Sequence, residues 1–151
     1  MRPAYAAFLS FCPDAERLPT HLAHLDHPDP ILRQQVALGL GHPRPEAERL
    51  PEVLAAVLRL AEDPEPRIRA TALSAFLLSP LDTPALRTTL VAHLADPDHD
   101  ARREAAGALV LRGDERGRPV LDGIRAARKN LYSRDAGWLD TFDHLLRSRR
   151  A

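Results

Sequence analysis

Asp63-Pro64-Glu65-Pro66-Arg67-Ile68-Arg69 is the stretch on which the fold turns. It aligns without gaps to His27-Pro28-Asp29-Pro30-Ile31-Leu32-Arg33 and to Asp96-Pro97-Asp98-His99-Asp100-Ala101-Arg102. Each copy is followed by an apolar-rich stretch: Val36 to Leu40, Ala72 to Phe76, and Ala105 to Leu109. The copies lie 36 and 33 residues apart. Self-similarity at such a period marks an array of stacked supersecondary units.

A second series of prolines falls between the copies. Leu18-Pro19, Leu50-Pro51, Thr83-Pro84 and Arg118-Pro119 each open an apolar-periodic stretch. Proline suits the first turn of a helix, where its missing N–H has no intrahelical partner. Two helix starts per period predict one helical hairpin per repeat. First helices are expected near 18–26, 51–62, 84–95 and 119–130, and second helices near 30–40, 66–78, 99–112 and 134–148. A further helix is expected over 3–11, where Ala4 to Cys12 is apolar except for Ser10.

The apolar residues recur with a helical period. Val53, Leu54, Val57, Leu58 and Ala61 form one face, and Leu86, Leu90 and Leu94 form a row. In the second helices, Leu32/Ile68/Ala101, Val36/Ala72/Ala105 and Leu40/Phe76/Leu109 fall on one face. A lone hairpin cannot bury such a face, but stacked neighbours can. No sustained alternation of apolar and polar residues points to strands. The fold class is therefore all-α, in one domain over 1–151. An N-terminal helix precedes repeats at about 14–42, 46–79, 82–112 and 117–149.

The composition narrows the function. Fourteen prolines and seven glycines fall short of a low-complexity profile, and 44% hydrophobic residues suffice for a core. Basic and acidic residues balance at 21 each, so no net field draws the chain to nucleic acid or membrane. Lys129 is the sole lysine, and such arginine bias weakens arginine as a sign of phosphate recognition. The single cysteine, Cys12, excludes an intramolecular disulfide framework and leaves a reducing cytoplasm as the expected compartment. No apolar run is long enough to span a bilayer.

The Asp-Pro-x-x-x-apolar-Arg turn with its Ala-rich second helix resembles the short HEAT-like repeat of bacterial proteins, the subtype first noted in phycobilin lyases. The resemblance implies a right-handed α-solenoid of about four stacked hairpins. It also implies a ladder between adjacent repeats, formed by the turn aspartate and the arginine six residues on: Asp63 with Arg69, and Asp96 with Arg102. The first copy carries Arg33, but His27 stands at the aspartate position. The fourth unit lacks the motif, as terminal repeats often do. Tyr5, Phe8, Phe11, Tyr132, Trp138 and Phe142 gather in the first helix and last unit, as capping side chains or an end-to-end dimer surface would.

Chemistry is sparse. His21, His24 and His27 are spaced by three, yet no distal ligand pair accompanies them, so no metal is assigned. Gly39-Leu40-Gly41 ends a helix where a phosphate loop would follow a strand. No catalytic residue and no cofactor are assigned, and the expected function is a non-catalytic scaffold or adaptor. Its protein partner would dock on the concave face lined by the second helices, at Gln34, Gln35, Arg67 and Arg103. The competing expectations are a lyase-like accessory protein, or nucleic-acid binding through a basic C-terminal end. From Arg112 onward, ten basic residues face six acidic ones, with Arg125, Arg128 and Lys129 as the candidate patch.

Overall fold

Proline sets half of the helix starts in the computed structural model of the chain, which describes residues 14–41, 51–127 and 133–150. Among the described residues eight α-helices follow one another: α1 (Asp14–Ala23), α2 (Pro30–Gly41), α3 (Pro51–Ala61), α4 (Pro66–Leu78), α5 (Pro84–Ala92), α6 (His99–Leu111), α7 (Arg118–Ala127) and α8 (Arg134–Arg150). Short 3-10 turns, His93–Ala95 and Glu115–Gly117, flank α6. Among the described residues there is no strand. Pro30, Pro51, Pro66 and Pro84 are the first residues of their helices. The Thr83 hydroxyl caps α5 by accepting the Leu86 N–H.

Pro19 departs from this rule. It lies inside α1, which begins five residues earlier at Asp14. Ala15 to Leu18 are good helix formers, and a proline in the second turn, which forfeits one backbone hydrogen bond and crowds the carbonyl four residues back, is costly but tolerated. The helix expected over 3–11, with Tyr5, Phe8 and Phe11, lies outside the described residues, as does Tyr132.

The chain divides into two compact units, Met1–Leu81 and Asp82–Ala151. In the first, α2 packs on α1, α3 and α4, and α3 packs on α4. Val36, Val53, Val57, Leu60, Ile68, Ala72, Leu73 and Phe76 form its core. Each large aliphatic or aromatic side chain so buried contributes about 1.5–3 kcal/mol.

In the second unit α6 is central and packs against α5, α7 and α8. Every residue from Arg103 to Leu111 is buried. Leu86, Leu90, Leu121, Leu139 and Phe142 surround it. Gly113 ends α6 in the left-handed conformation, φ 72°. The Gly113 N–H bonds to the Val110 carbonyl and the Asp114 N–H to the Leu109 carbonyl, the paired bonds of a Schellman stop. Phe142 stacks on Trp138 with ring centroids 5.1 Å apart.

Candidate functional site

The three copies of the turn are built alike. The side chain at the first position accepts the backbone N–H two residues on. His27 Nδ1 accepts from Asp29 at 3.0 Å, Asp63 Oδ1 from Glu65 at 2.9 Å, and Asp96 Oδ1 from Asp98 at 2.8 Å. His27 thus reproduces the Asx-type turn with a ring nitrogen. The arginine six residues on closes each turn through Nη1. Arg33 donates to the His27 and Pro28 carbonyls, Arg69 to those of Asp63 and Pro64, and Arg102 to those of Asp96 and Pro97.

These bonds change the pairing that the resemblance implies. Arg69 and Arg102 reach the backbone carbonyls of their own turns, because a side chain in the first turns of a helix points back over its N-terminus. The Asp63 carboxylate is instead held by Arg33 of the preceding hairpin. Nε donates to Oδ2 at 2.7 Å and Nη2 to Oδ1 at 3.1 Å. This bidentate bond lifts the Arg33 pKa further, burial opposing. The Asp96 carboxylate accepts from Asp98 and pairs with the buried ring of His93 at 2.8 Å.

The four residues expected to meet a partner do not share one environment. Arg67 is exposed, and Gln34 and Gln35 are half-buried, all in the first unit. Arg103 is a correction. It is 6% exposed and sits between α6 and α8 of the second unit. It bonds to Glu104 at 3.0 Å and to Asp135 at 2.9 Å, and its guanidinium lies 5.2 Å from the Trp138 ring centroid. The Trp138 indole N–H donates to the other Glu104 oxygen at 3.0 Å. Burial raises the Glu104 pKa, opposed by Arg103 and Trp138. Burial also opposes ionisation of Asp135, but bonds from His99 and Arg103 outweigh it and lower that pKa. The sequence alone gives no sign of this burial, because the last hairpin shows no turn motif from which the seat of α8 could be inferred.

The exposed face in the first unit is wider than the three remaining residues. On α2, Ile31, Gln34, Gln35 and Leu38 form one stripe at i, i+3, i+4 and i+7. On α4, which packs beside it, Arg67, Thr71, Ser74 and Leu78 form another. Ile31, Leu38 and Leu78 are 44%, 46% and 52% exposed, uncommon values for large aliphatic side chains. The Thr71 and Ser74 hydroxyls donate to the Arg67 and Thr71 carbonyls, which lessens their demand for outside partners.

Part of the basic end is locally neutralised. Arg125 pairs with Asp143 at 2.5 Å and approaches Asp122, Arg118 pairs with Glu115, and Arg134 pairs with Asp100. Arg128 and Lys129 lie outside the described residues. The histidines do not converge either. His21 is buried against Gly39, the His24 ring nitrogen Nδ1 contacts the Thr20 carbonyl at 2.8 Å, and His24 stacks on His27. Among the described residues no group of three His, Cys, Asp or Glu is placed to hold a metal. An apolar hollow of about 30 Å³ against Leu40, Val53, Val57 and Phe76 has room for little more than water. Among the described residues no helix is long and apolar enough to cross a membrane.

Two-helix hairpins repeating every 33–36 residues, each with a side-chain-capped turn closed by an arginine, define an α-solenoid-class repeat protein. A sequence profile of HEAT repeats matches residues 18–109, and the chain belongs to the HEAT repeat family. HEAT repeats commonly serve as protein-interaction scaffolds, and the family is generally non-catalytic. No curated protein and no solved structure matches the chain at a significant level.

Proposed function

We propose that the chain is a single HEAT-like repeat domain acting as a non-catalytic adaptor in the cytoplasm. It captures a protein partner on the second-helix face of its first unit. The observation that carries this reading is the paired stripe on α2 and α4, where Ile31, Leu38 and Leu78 stand exposed beside Gln34, Gln35 and Arg67. Apolar anchors ringed by polar groups and an arginine suit protein recognition. The Ala-rich second helices and Asp-Pro turns also favour the bacterial, phycobilin-lyase-type branch of the family.

The test is affinity capture from native cells, using wild type and the triple variant Ile31→Asp, Leu38→Asp, Arg67→Glu. The expected result is a partner retained by wild type and lost by the variant, with matching melting curves. Equal capture by both proteins rejects this face.

A further inference from the structure

The second helices of the first unit carry cations and no carboxylate. Among the described residues of this unit, Asp14 and Glu16 lie on α1 and Glu52 on α3. Every other carboxylate lies in the turns between α1 and α2 or between α3 and α4. Neither α2 nor α4 contains an aspartate or glutamate, yet they hold Arg33, Arg67 and Arg69. A segment laid across these two helices meets positive charge with no negative charge interleaved.

Two of the three arginines serve the repeat itself. Arg33 is bound twice by Asp63, and Arg69 fastens the Asp63 and Pro64 carbonyls of its own turn. Arg67 is exposed and makes no ion pair among the described residues. Arg59 on α3 is exposed too, but Asp26 holds it at 2.7 Å. The turn carboxylates ahead of α2 and α4 are engaged locally. Asp29 Oδ1 accepts the Ile31 N–H at 3.0 Å, and Asp63 Oδ1 accepts the Glu65 N–H at 2.9 Å.

Arg67 shares its stripe with exposed Leu78, and α2 beside it presents exposed Ile31 and Leu38. The face therefore offers three aliphatic side chains and one uncompensated guanidinium. A carboxylate satisfies a guanidinium with two parallel charge-assisted hydrogen bonds. A basic group brought to the same place meets like charge and finds no acid on either helix to receive it. Resting on the adaptor reading above, we propose that the partner docks here through an acidic amphipathic segment. Its apolar side chains cover Ile31, Leu38 and Leu78, and its aspartate or glutamate pairs with Arg67.

The test places the photoreactive residue benzoylphenylalanine in the full chain, at Gln34 or separately at Ser74. Each labelled chain is irradiated in native cell extract, and the cross-linked segment is identified by mass spectrometry. A synthetic peptide of that segment is then titrated into the unlabelled chain by calorimetry. The expected segment combines apolar residues with at least one carboxylate. Replacing that carboxylate by lysine should weaken binding about tenfold, and Arg67→Glu should recover the lysine peptide. A segment without a carboxylate overturns the proposal and leaves the adaptor reading standing. So does a lysine peptide that binds as well as its parent, or one that Arg67→Glu fails to recover. An adduct with a second copy of this chain, or no adduct from either labelled position, overturns the adaptor reading and this proposal with it.

Discussion

Arg33 and Asp63, thirty positions apart in sequence, are joined by a two-pronged hydrogen-bonded ion pair that ties the first hairpin to the second. Both side chains are largely buried, at 13% and 5% exposure. Each also serves its own turn: Arg33 closes the first turn through Nη1, and Asp63 caps the second by accepting the Glu65 N–H. One bond therefore couples two local turns to one long-range contact.

Removing either partner leaves a buried charged group without its main bond. Arg33→Ala and Asp63→Ala are each expected to destabilise the protein by roughly 1–3 kcal/mol. The two losses should not add, because they share this pair. A double-mutant cycle from denaturant melts checks this, and full additivity would show that the pair is not formed in solution.

Arg69 and Arg102 act differently from the pairing implied by the family resemblance. Their Nη1 groups fasten carbonyls on either side of the Asp-Pro bond. Lysine retains the positive charge, but its flexible stem does not hold one nitrogen at the fixed angle from which the planar guanidinium's Nη1 reaches both carbonyls. Arg102→Lys is therefore expected to lower the melting temperature nearly as much as Arg102→Ala. A lysine variant that melts with wild type would mean that charge alone suffices at this position.

The hairpins could be read from sequence because their signals are local. A proline in a first turn, an acceptor two residues before a backbone N–H, and an arginine six residues on all act within one repeat. Pro30, Pro51, Pro66 and Pro84 accordingly start the helices where the spacing placed them. Pro19 marks no helix start, because a proline in a second turn is costly but not forbidden and α1 begins earlier, at Asp14. The seat of Arg103 was out of reach for a different reason. Its burial depends on where α8 lies, and nothing in residues 99–111 encodes the arrival of Asp135 and Trp138 from more than thirty positions away. The stripe of Ile31, Leu38 and Leu78 was half legible. Its period is visible, but only the fold distinguishes exposed aliphatics from core.

Gly39 in α2 has a reason to be glycine. A Cβ at this position would lie 2.2 Å from Cε1 and 2.4 Å from Nε2 of the buried His21 ring. Alanine in a helix ordinarily gains up to about 1 kcal/mol over glycine. Here Gly39→Ala is expected to lose on the order of 1–3 kcal/mol through overpacking. Adding His21→Ala should recover part of the loss by opening the space. A Gly39→Ala protein more stable than wild type would show that the ring moves aside freely.

Arg103 and Glu104 give the most discriminating test of the second unit. Arg103→Met removes the cation that offsets the buried Glu104 charge, and breaking a buried pair costs about 3–5 kcal/mol. Arg103→Met with Glu104→Leu should regain much of that loss, since neither charge then remains buried. The pH dependence has a fixed sign. Burial already raises the Glu104 pKa in the folded protein, and loss of Arg103 raises it further. A carboxyl whose folded pKa is raised costs stability while it is ionised, and the cost is relieved as pH falls through that pKa. Asp135 behaves oppositely: its pKa is lowered by His99 and Arg103, and the stability it contributes is lost on acidification. In Arg103→Met the Asp135 contribution is diminished and the Glu104 penalty enlarged. The single variant should therefore approach wild-type stability as pH is lowered from neutrality into the acid range. Trp138, the sole tryptophan, lies on this network and reports the transition by fluorescence. A gap between the two proteins that stays constant across this range would mean that Glu104 does not carry the buried charge.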